Sequence, residues 1–418
     1  MKIRISTIDL VLCLSEAVDL ISPIVANHHK YVACIAYQLS SELGLQDSEQ
    51  KDITVAAALH DVGALSLAER LSPLNFDFEE ERGHSERGYL LLNTYKPFST
   101  AASLIRYHHA PWDNGKCIGV NSEKIPIGSH LLNLADRISV LIKANNNILG
   151  QTDEICKKIT DLSGKIFVPE LVDSFIKLSK KECFWLDIIS GSLLTFIESK
   201  FSRDSLLEGY DFLELIKLFS RIIDFRSHFT ATHSSGVAAS AKAISRFAGF
   251  TESDSETIEI AGYIHDLGKL AVPAEILEKP GKLSKEEYEI VRTHTYYTDL
   301  ILSKVKDFDV IRSWGALHHE RLDGKGYPFH FDGRQLSTGS RIMAIADVFV
   351  ALSEDRPYRN GLCRDETLLI IENMANSFAL DINLVQLVKE NYDYINNCRS
   401  NAQNAVEKEY SAMTLFSV

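Results

Sequence analysis

Residues 58–65 read ALHDVGAL and residues 263–270 read YIHDLGKL, one phrase written twice in a chain of 418 residues. Working outward, His60 lies 32 residues after His28, and His265 lies 32 after His233. His108 and His109 follow His84 by 24 and 25 residues, and His318 and His319 follow His294 by the same steps. Asp136 comes 27 residues after His109, and Asp347 comes 28 after His319, within the matching strings SHLLNLADRIS and SRIMAIADVFV. The offset between copies drifts from 205 to 211, which implies small loop insertions between matched segments. Self-similarity of this kind marks a duplicated structural unit. Ten of the 14 histidines fall on the matched positions. A duplication kept only for its core would not need them, because Leu fills a buried helix position as well. Chemistry therefore holds them in at least one copy.

The periodicity predicts helices nearly throughout. Apolar residues return every three or four positions in 55–59, 131–142, 213–223, 258–264 and 342–352, the spacing of one helix face. Convincing runs of alternating β-branched residues are missing, so the fold class is all-α. Gly and Pro gather at 279–282 and 323–328, which read as loops. A helix is expected over 185–197 and the join between copies near 201–211, giving domains 1–203 and 204–418. The first 20 residues carry early basic residues, but Asp9, Glu16 and Asp19 interrupt the apolar run. That rules out a signal peptide or a membrane span there. Ile5, Ile8, Leu12 and Ser15 instead follow a helical spacing.

Composition narrows the setting. The seven cysteines are scattered, odd in number and without a CxxC pair, which argues for a reducing compartment and against a disulfide framework or a zinc–thiolate site. A net charge of −13 argues against broad binding to DNA, RNA or anionic lipid. The expectation is a cytoplasmic enzyme or signalling protein of two domains, with no membrane partner.

In the second copy His233, His265, Asp266, His294, His318, His319 and Asp347 supply five imidazoles and two carboxylates. Nitrogen and oxygen donors without thiolate suit Fe, Mn, Zn, Ni or Co. Seven ligands exceed what one tetrahedral ion takes, so two ions are the economical count, with Asp266 as the natural bridge. Paired ions about 3.5–4 Å apart can hold a hydroxide and clamp a phosphoryl group for in-line attack. Lys269 lies one turn past His265 and can lean over the same pocket to neutralise a phosphate oxygen. The stretch His318–Pro328, HHERLDGKGYP, opens the histidine pair onto a loop in which Gly324 and Gly326 permit backbone angles closed to other residues.

Four ordered strings, AGYIHDLGKL, KPGKLSKEEYEIVRTH, HHERLDGKGYP and RIMAIADVFVALSEDRPYR, resemble the HD-GYP family of metal-dependent phosphohydrolases over about 224–390. The resemblance implies an all-α fold of two tandem HD-type domains, two or three metals (iron or manganese foremost), and hydrolysis of cyclic dinucleotides. In that family the substrate is chiefly cyclic di-GMP, and tandem members of vibrios act on 3′3′-cyclic GMP-AMP. It implies that His233, His265, Asp266 and Asp347 hold one ion, and Asp266, His294, His318 and His319 the other. It makes Asp266 and Lys269 catalytic and places Lys269, Arg321, Asp323, Gly324, Gly326, Tyr327 and Arg341 around the substrate. Lys325, Arg356 and Arg359 are further candidates for phosphate or guanine contacts. Three-metal members carry a glutamate four residues before the first histidine. Here that position is Phe229, so two ions are expected unless a carboxylate such as Asp224 substitutes.

The first copy retains His28, His60, Asp61, His84, His108, His109 and Asp136, a complete donor set by count. It lacks the substrate grip: Ala64 stands where Lys269 does, Ala110 replaces Glu320, and APWDNGKCIG replaces the glycine loop. Losing one charge-assisted contact to phosphate removes roughly 1.5–3 kcal/mol. The expectation is a metal-competent, catalytically weak domain serving as sensor, regulator or dimer platform, with the glycine loop as a second surface for a signalling partner. The competing functions are hydrolysis of another phosphate compound, against which the GYP string argues, and an adaptor with a residual metal site.

Overall fold

The computed structural model describes residues 5–21, 27–64, 66, 69, 71, 76, 83–143, 146–202, 206–225, 232–354 and 360–414. Among these the chain is helical, apart from one two-residue antiparallel pair, Ile5–Ser6 with Leu206–Leu207, and a few isolated bridges. The all-α expectation holds. The chain divides into two compact units, one of Ile5–Leu207 and one running from Glu208 onward. Phe229, Arg356 and Arg359 lie outside the described residues.

In the second unit the helix His233–Phe247 packs along Glu252–Ile264, Thr338–Ser353 and the terminal helix Tyr392–Thr414. The buried faces are the apolar positions read from the sequence: Ile258, Ala261 and Ile264 on one helix, Ile342, Ile345 and Phe349 on another. Burying such side chains stabilises by roughly 1.5–3 kcal/mol each, and this holds the scaffold against chain entropy. Helix starts follow local chemistry. Ser284 and Glu287 form a capping box that begins Lys285–Leu302, and the Thr251 and Ser337 hydroxyls accept from the amides of Asp254 and Ser340. Each cap satisfies a backbone donor that the first turn leaves open.

The first unit repeats the plan with helices His28–Glu42, Asp47–Leu59, Gly83–Leu92, Ser99–Arg106 and Ile127–Leu141. The expected helix over 185–197 is in fact two, Glu182–Ser190 and Ser192–Ser202. Gly191 at φ +71° separates them, since a left-handed residue ends the helical ladder and only glycine adopts it without cost.

One close approach in each unit positions the histidines. A Cβ on Gly268 would overlap the carbonyl of His294, and a Cβ on Gly63 would overlap that of His84. Glycine after each His-Asp pair lets the next ligand-bearing helix lie directly against it.

Candidate metal centre

In the second unit each donor sits where a helix begins, ends or passes the same point. His233 is the first residue of its helix, and His265 caps the C-terminus of Glu252–Ile264, with Asp266 next. His294 lies inside Lys285–Leu302, His318 and His319 follow the helix Asp309–Ala316, and Asp347 lies within Thr338–Ser353. All but His319 are buried. His233, His265 and Asp347 form one group and His294, His318 and His319 another, each with donor atoms within 4.8 Å of one another. Asp266 lies between them. Its Oδ2 is 3.2 Å from His265 Nε2, and its Oδ1 is 3.4 Å from His294 Nε2 and 3.9 Å from His318 Nε2. Asp347 Oδ1 is 3.1 Å from His233 Nε2, and its Oδ2 is 3.7 Å from His319 Nδ1.

The ring nitrogens decide what this cluster can hold. His265, His294 and His318 each donate Nδ1–H to a carbonyl three residues back, those of Gly262, Val291 and Gly315, at 2.8, 2.6 and 2.6 Å. That tautomer leaves a lone pair on each Nε2. Yet the Nε2 atoms of His294 and His318 face each other at 3.4 Å, and His265 Nε2 and Asp266 Oδ1 have no hydrogen-bond partner although buried. Lone pairs aimed at one another in a dry interior repel unless a cation lies among them. The residues present fit divalent metal.

Electrostatics agree. Burial alone would raise Asp266 and Asp347, but His265 and Lys269 around the first, and His233 and His319 around the second, hold both well below the usual carboxylate range. Burial pushes His294 down to about 3, only partly opposed by Asp266, which leaves it neutral and able to ligate.

Sequence reading missed Glu354. It takes the Nδ1 proton of His233 at 3.1 Å and is itself met by Gln403 Nε2 at 3.4 Å. A carboxylate behind a ligating imidazole fixes its orientation. Glu320, counted with the substrate grip, has a different part. Its two oxygens accept from the amides of Phe329, His330 and Phe331 at 2.7–3.1 Å, pinning the exit of the glycine loop. No short-range pattern marks Glu354, because its partners lie 49 and 121 positions away.

Among the expected substrate contacts, Lys269 Nζ lies 2.5 Å from Asp266 Oδ2, directly at the centre. Tyr327 is beside it too: its ring is 4.9 Å from that of His319, and the Arg292 guanidinium lies 4.7 Å from the centroid of the Tyr327 ring. Tyr327 and Arg292 border a groove of about 280 Å³ lined also by Tyr296, Tyr297 and Pro328. Gly324 takes φ +71°, and a Cβ on Gly326 would strike the backbone of Glu320 and Arg321, so both glycines are required by the loop itself. Arg321 and Asp323 pair with one another at 2.8 and 3.0 Å within the loop. Arg341 differs from expectation. Its fork donates to the carbonyls of Leu336 and Gly333 and to Asp381, which ties down the segment before its own helix.

The first unit keeps the same convergence. His28, His60 and Asp136 form one group and Asp61, His84, His108 and His109 another. His28 and His60 face each other through Nε2 at 3.3 Å, as do His84 and His109 at 3.2 Å. Asp61 Oδ1, His108 Nε2 and Asp136 Oδ1 are buried without hydrogen-bond partners. One addition is Arg137, which pairs with Asp136 Oδ2 at 2.6 Å; Val348 is the matched residue of the second unit.

Duplicated helical units that each gather histidines and aspartates into one cation-ready cluster define the class of HD proteins. The chain belongs to the HD domain family and carries two copies, matched at residues 25–141 and 217–384. It is 29% identical over 395 residues to 3′3′-cGAMP-specific phosphodiesterase 1 of Vibrio cholerae, covering 91% of this chain and 90% of that one. It is 34% identical to 3′3′-cGAMP-specific phosphodiesterase 3 of the same organism over 60% of this chain and 54% of the relative. It is 32% identical to a cyclic di-GMP phosphodiesterase of Thermotoga maritima over 49% and 53%. The crystal structure of a cyclic GMP-AMP specific phosphodiesterase of V. cholerae matches the fold with a TM-score of 0.65 at 24% identity, over 93% of this chain and 98% of that one.

Proposed function

We propose that the second unit is a metal-dependent phosphodiesterase that opens a cyclic dinucleotide, 3′3′-cyclic GMP-AMP, cyclic di-GMP or both, to a linear dinucleotide with a 5′-phosphate. The observation that carries the proposal is the convergence of His233, His265, Asp266, His294, His318, His319 and Asp347, with imidazole lone pairs pointed at a shared space. His233, His265, Asp266 and Asp347 would hold one ion and Asp266, His294, His318 and His319 the other; the donors suit Fe, Mn, Zn, Ni or Co, and the family resemblance puts iron or manganese first. When bound, two such ions supply positive charge to the phosphoryl oxygens and lower the pKa of attacking water. Water adds to phosphorus, the P–O3′ bond breaks, and a proton passes to the departing 3′ oxygen. Lys269, paired with Asp266 at 2.5 Å, would donate to a phosphoryl oxygen once a substrate competes for its ammonium. The groove beside Tyr327, with Arg292 at its edge, offers an aromatic face and a cation to a nucleotide.

The first unit is proposed to hold metal without efficient hydrolysis. It has Ala64 in place of the lysine, and Arg137 already neutralises Asp136. Its place would be regulation or subunit contact. Among the described residues no helix is long and apolar enough to cross a membrane.

Incubating manganese- or iron-loaded protein with each cyclic dinucleotide and resolving the products by chromatography tests the assignment. Linear 5′-phosphorylated product is expected, and absence of turnover with either substrate would sink it. Asp266→Ala is expected to abolish turnover and to lower the metal content of the second unit by at least half; retained turnover would contradict the bridging role.

A further inference from the structure

The first unit contains a histidine that has no counterpart in the second. His29 and Asp19 align with Ser234 and Asp224 at the 205-residue offset. In the second unit the pair is joined directly: Ser234 donates Oγ–H and N–H to Asp224, at 2.8 and 3.3 Å. In the first unit the serine is an imidazole that points onward. His29 Nδ1 lies 2.5 Å from Asp19 Oδ1, and the two residues are only 4% and 5% exposed. Asp19 therefore fixes the proton on Nδ1 and leaves a lone pair on Nε2, which is buried and has no hydrogen-bond partner. The His29 ring is 4.8 Å from that of His60 and 5.4 Å from that of His28. Donor atoms of His29, His60 and Asp61 lie within 4.8 Å of one another.

We propose that His29, aligned by Asp19, is a further metal ligand of the first unit, filling the coordination position that a hydrolytic centre keeps for water. The inference rests on the reading that the first unit holds divalent metal. With His29, the ion at His28 and His60 has His28, His29, His60, Asp61 and Asp136 as donors. Its counterpart in the second unit has four, His233, His265, Asp266 and Asp347. Metal sites that hold structure are closed by protein ligands, whereas those that activate water leave a position open. The two differences at this spot act together. Where Asp266 has the Lys269 ammonium beside it, Asp61 has an imidazole, so a phosphate-binding cation is exchanged for a metal ligand.

The test uses the full-length chain, stripped with chelator and reloaded with zinc alone. Anomalous diffraction at the zinc edge is expected to place His29 Nε2 at about 2.0–2.1 Å from an ion. A distance beyond about 3 Å, longer than any zinc–nitrogen bond, would overturn the proposal. In solution, zinc retention is followed during dialysis against graded chelator. Asp19→Asn is expected to weaken one ion by about 10–100-fold, the usual effect of removing a carboxylate behind a ligating histidine, and His29→Gln at least as much. If His60→Gln loses zinc while Asp19→Asn and His29→Gln keep the parent affinity, His29 is not a ligand. If His60→Gln also keeps it, metal binding by the first unit fails, and this inference fails with it. Should His29→Gln not fold, Asp19→Asn and the diffraction experiment still decide.

Discussion

Glu354 decides how His233 faces the centre, because it takes the Nδ1 proton that a backbone carbonyl takes in His265, His294 and His318. Removing such a partner typically lowers metal affinity 10–100-fold. Glu354→Ala is therefore expected to weaken one of the second unit's two ions by about that factor, read by chelator competition, while leaving the helices intact by circular dichroism. Cys34 illustrates the opposite case, a reactive group silenced by its place. Burial, reinforced by Asp187, pushes its thiol from 9.0 up to about 12. The folded chain thus keeps a proton that the unfolded chain releases, so the associated stability is present below pH 9 and is lost as pH rises toward about 12. Urea unfolding at about pH 8 and about pH 10.5 should show the parent losing more stability between the two than Cys34→Ala does. Equal losses would contradict the assignment. The clustered histidines and aspartates were legible from spacing alone, since a duplication displays them twice. Glu354 and the loop-bracing role of Glu320 were not, because a carboxylate that acts across 121 or 9–11 positions leaves no local pattern.

At the scale of elements, glycine sets the register. Gly268 lets Lys285–Leu302 lie against the turn that carries His265 and Asp266, and a methyl there meets the His294 carbonyl. Overpacking of this kind costs about 1–3 kcal/mol. Gly268→Ala should lower stability by that order and reduce metal content of the second unit together, and Gly63→Ala should do the same in the first unit. Stability lost with metal content unchanged would show that the contact does not position His294. Helix existence followed from periodicity, whereas helix starts such as the Ser284 capping box were seen only in the structure. The break at Gly191 was missed because apolar residues continue across it. Only the left-handed backbone there, φ +71°, splits the run into two helices.

At the scale of the whole molecule, the two units keep the same donors and differ in what surrounds them. Second-unit His265→Ala is expected to abolish hydrolysis, and first-unit His60→Ala to leave kcat close to that of the parent, measured on full-length protein with the same metal. Loss of turnover in both would mean that the first unit takes part in chemistry. The sequence by itself determined the duplication, the helical class and the identity of fourteen matched donors, because spacing and composition are properties of the chain written in one dimension. Tertiary structure alone decided which nitrogen of each imidazole faces inward, that Arg341 braces a loop, and that the His29–Asp19 pair lies beside His60. Those outcomes depend on distances between atoms far apart in sequence, which packing sets and no local signal records.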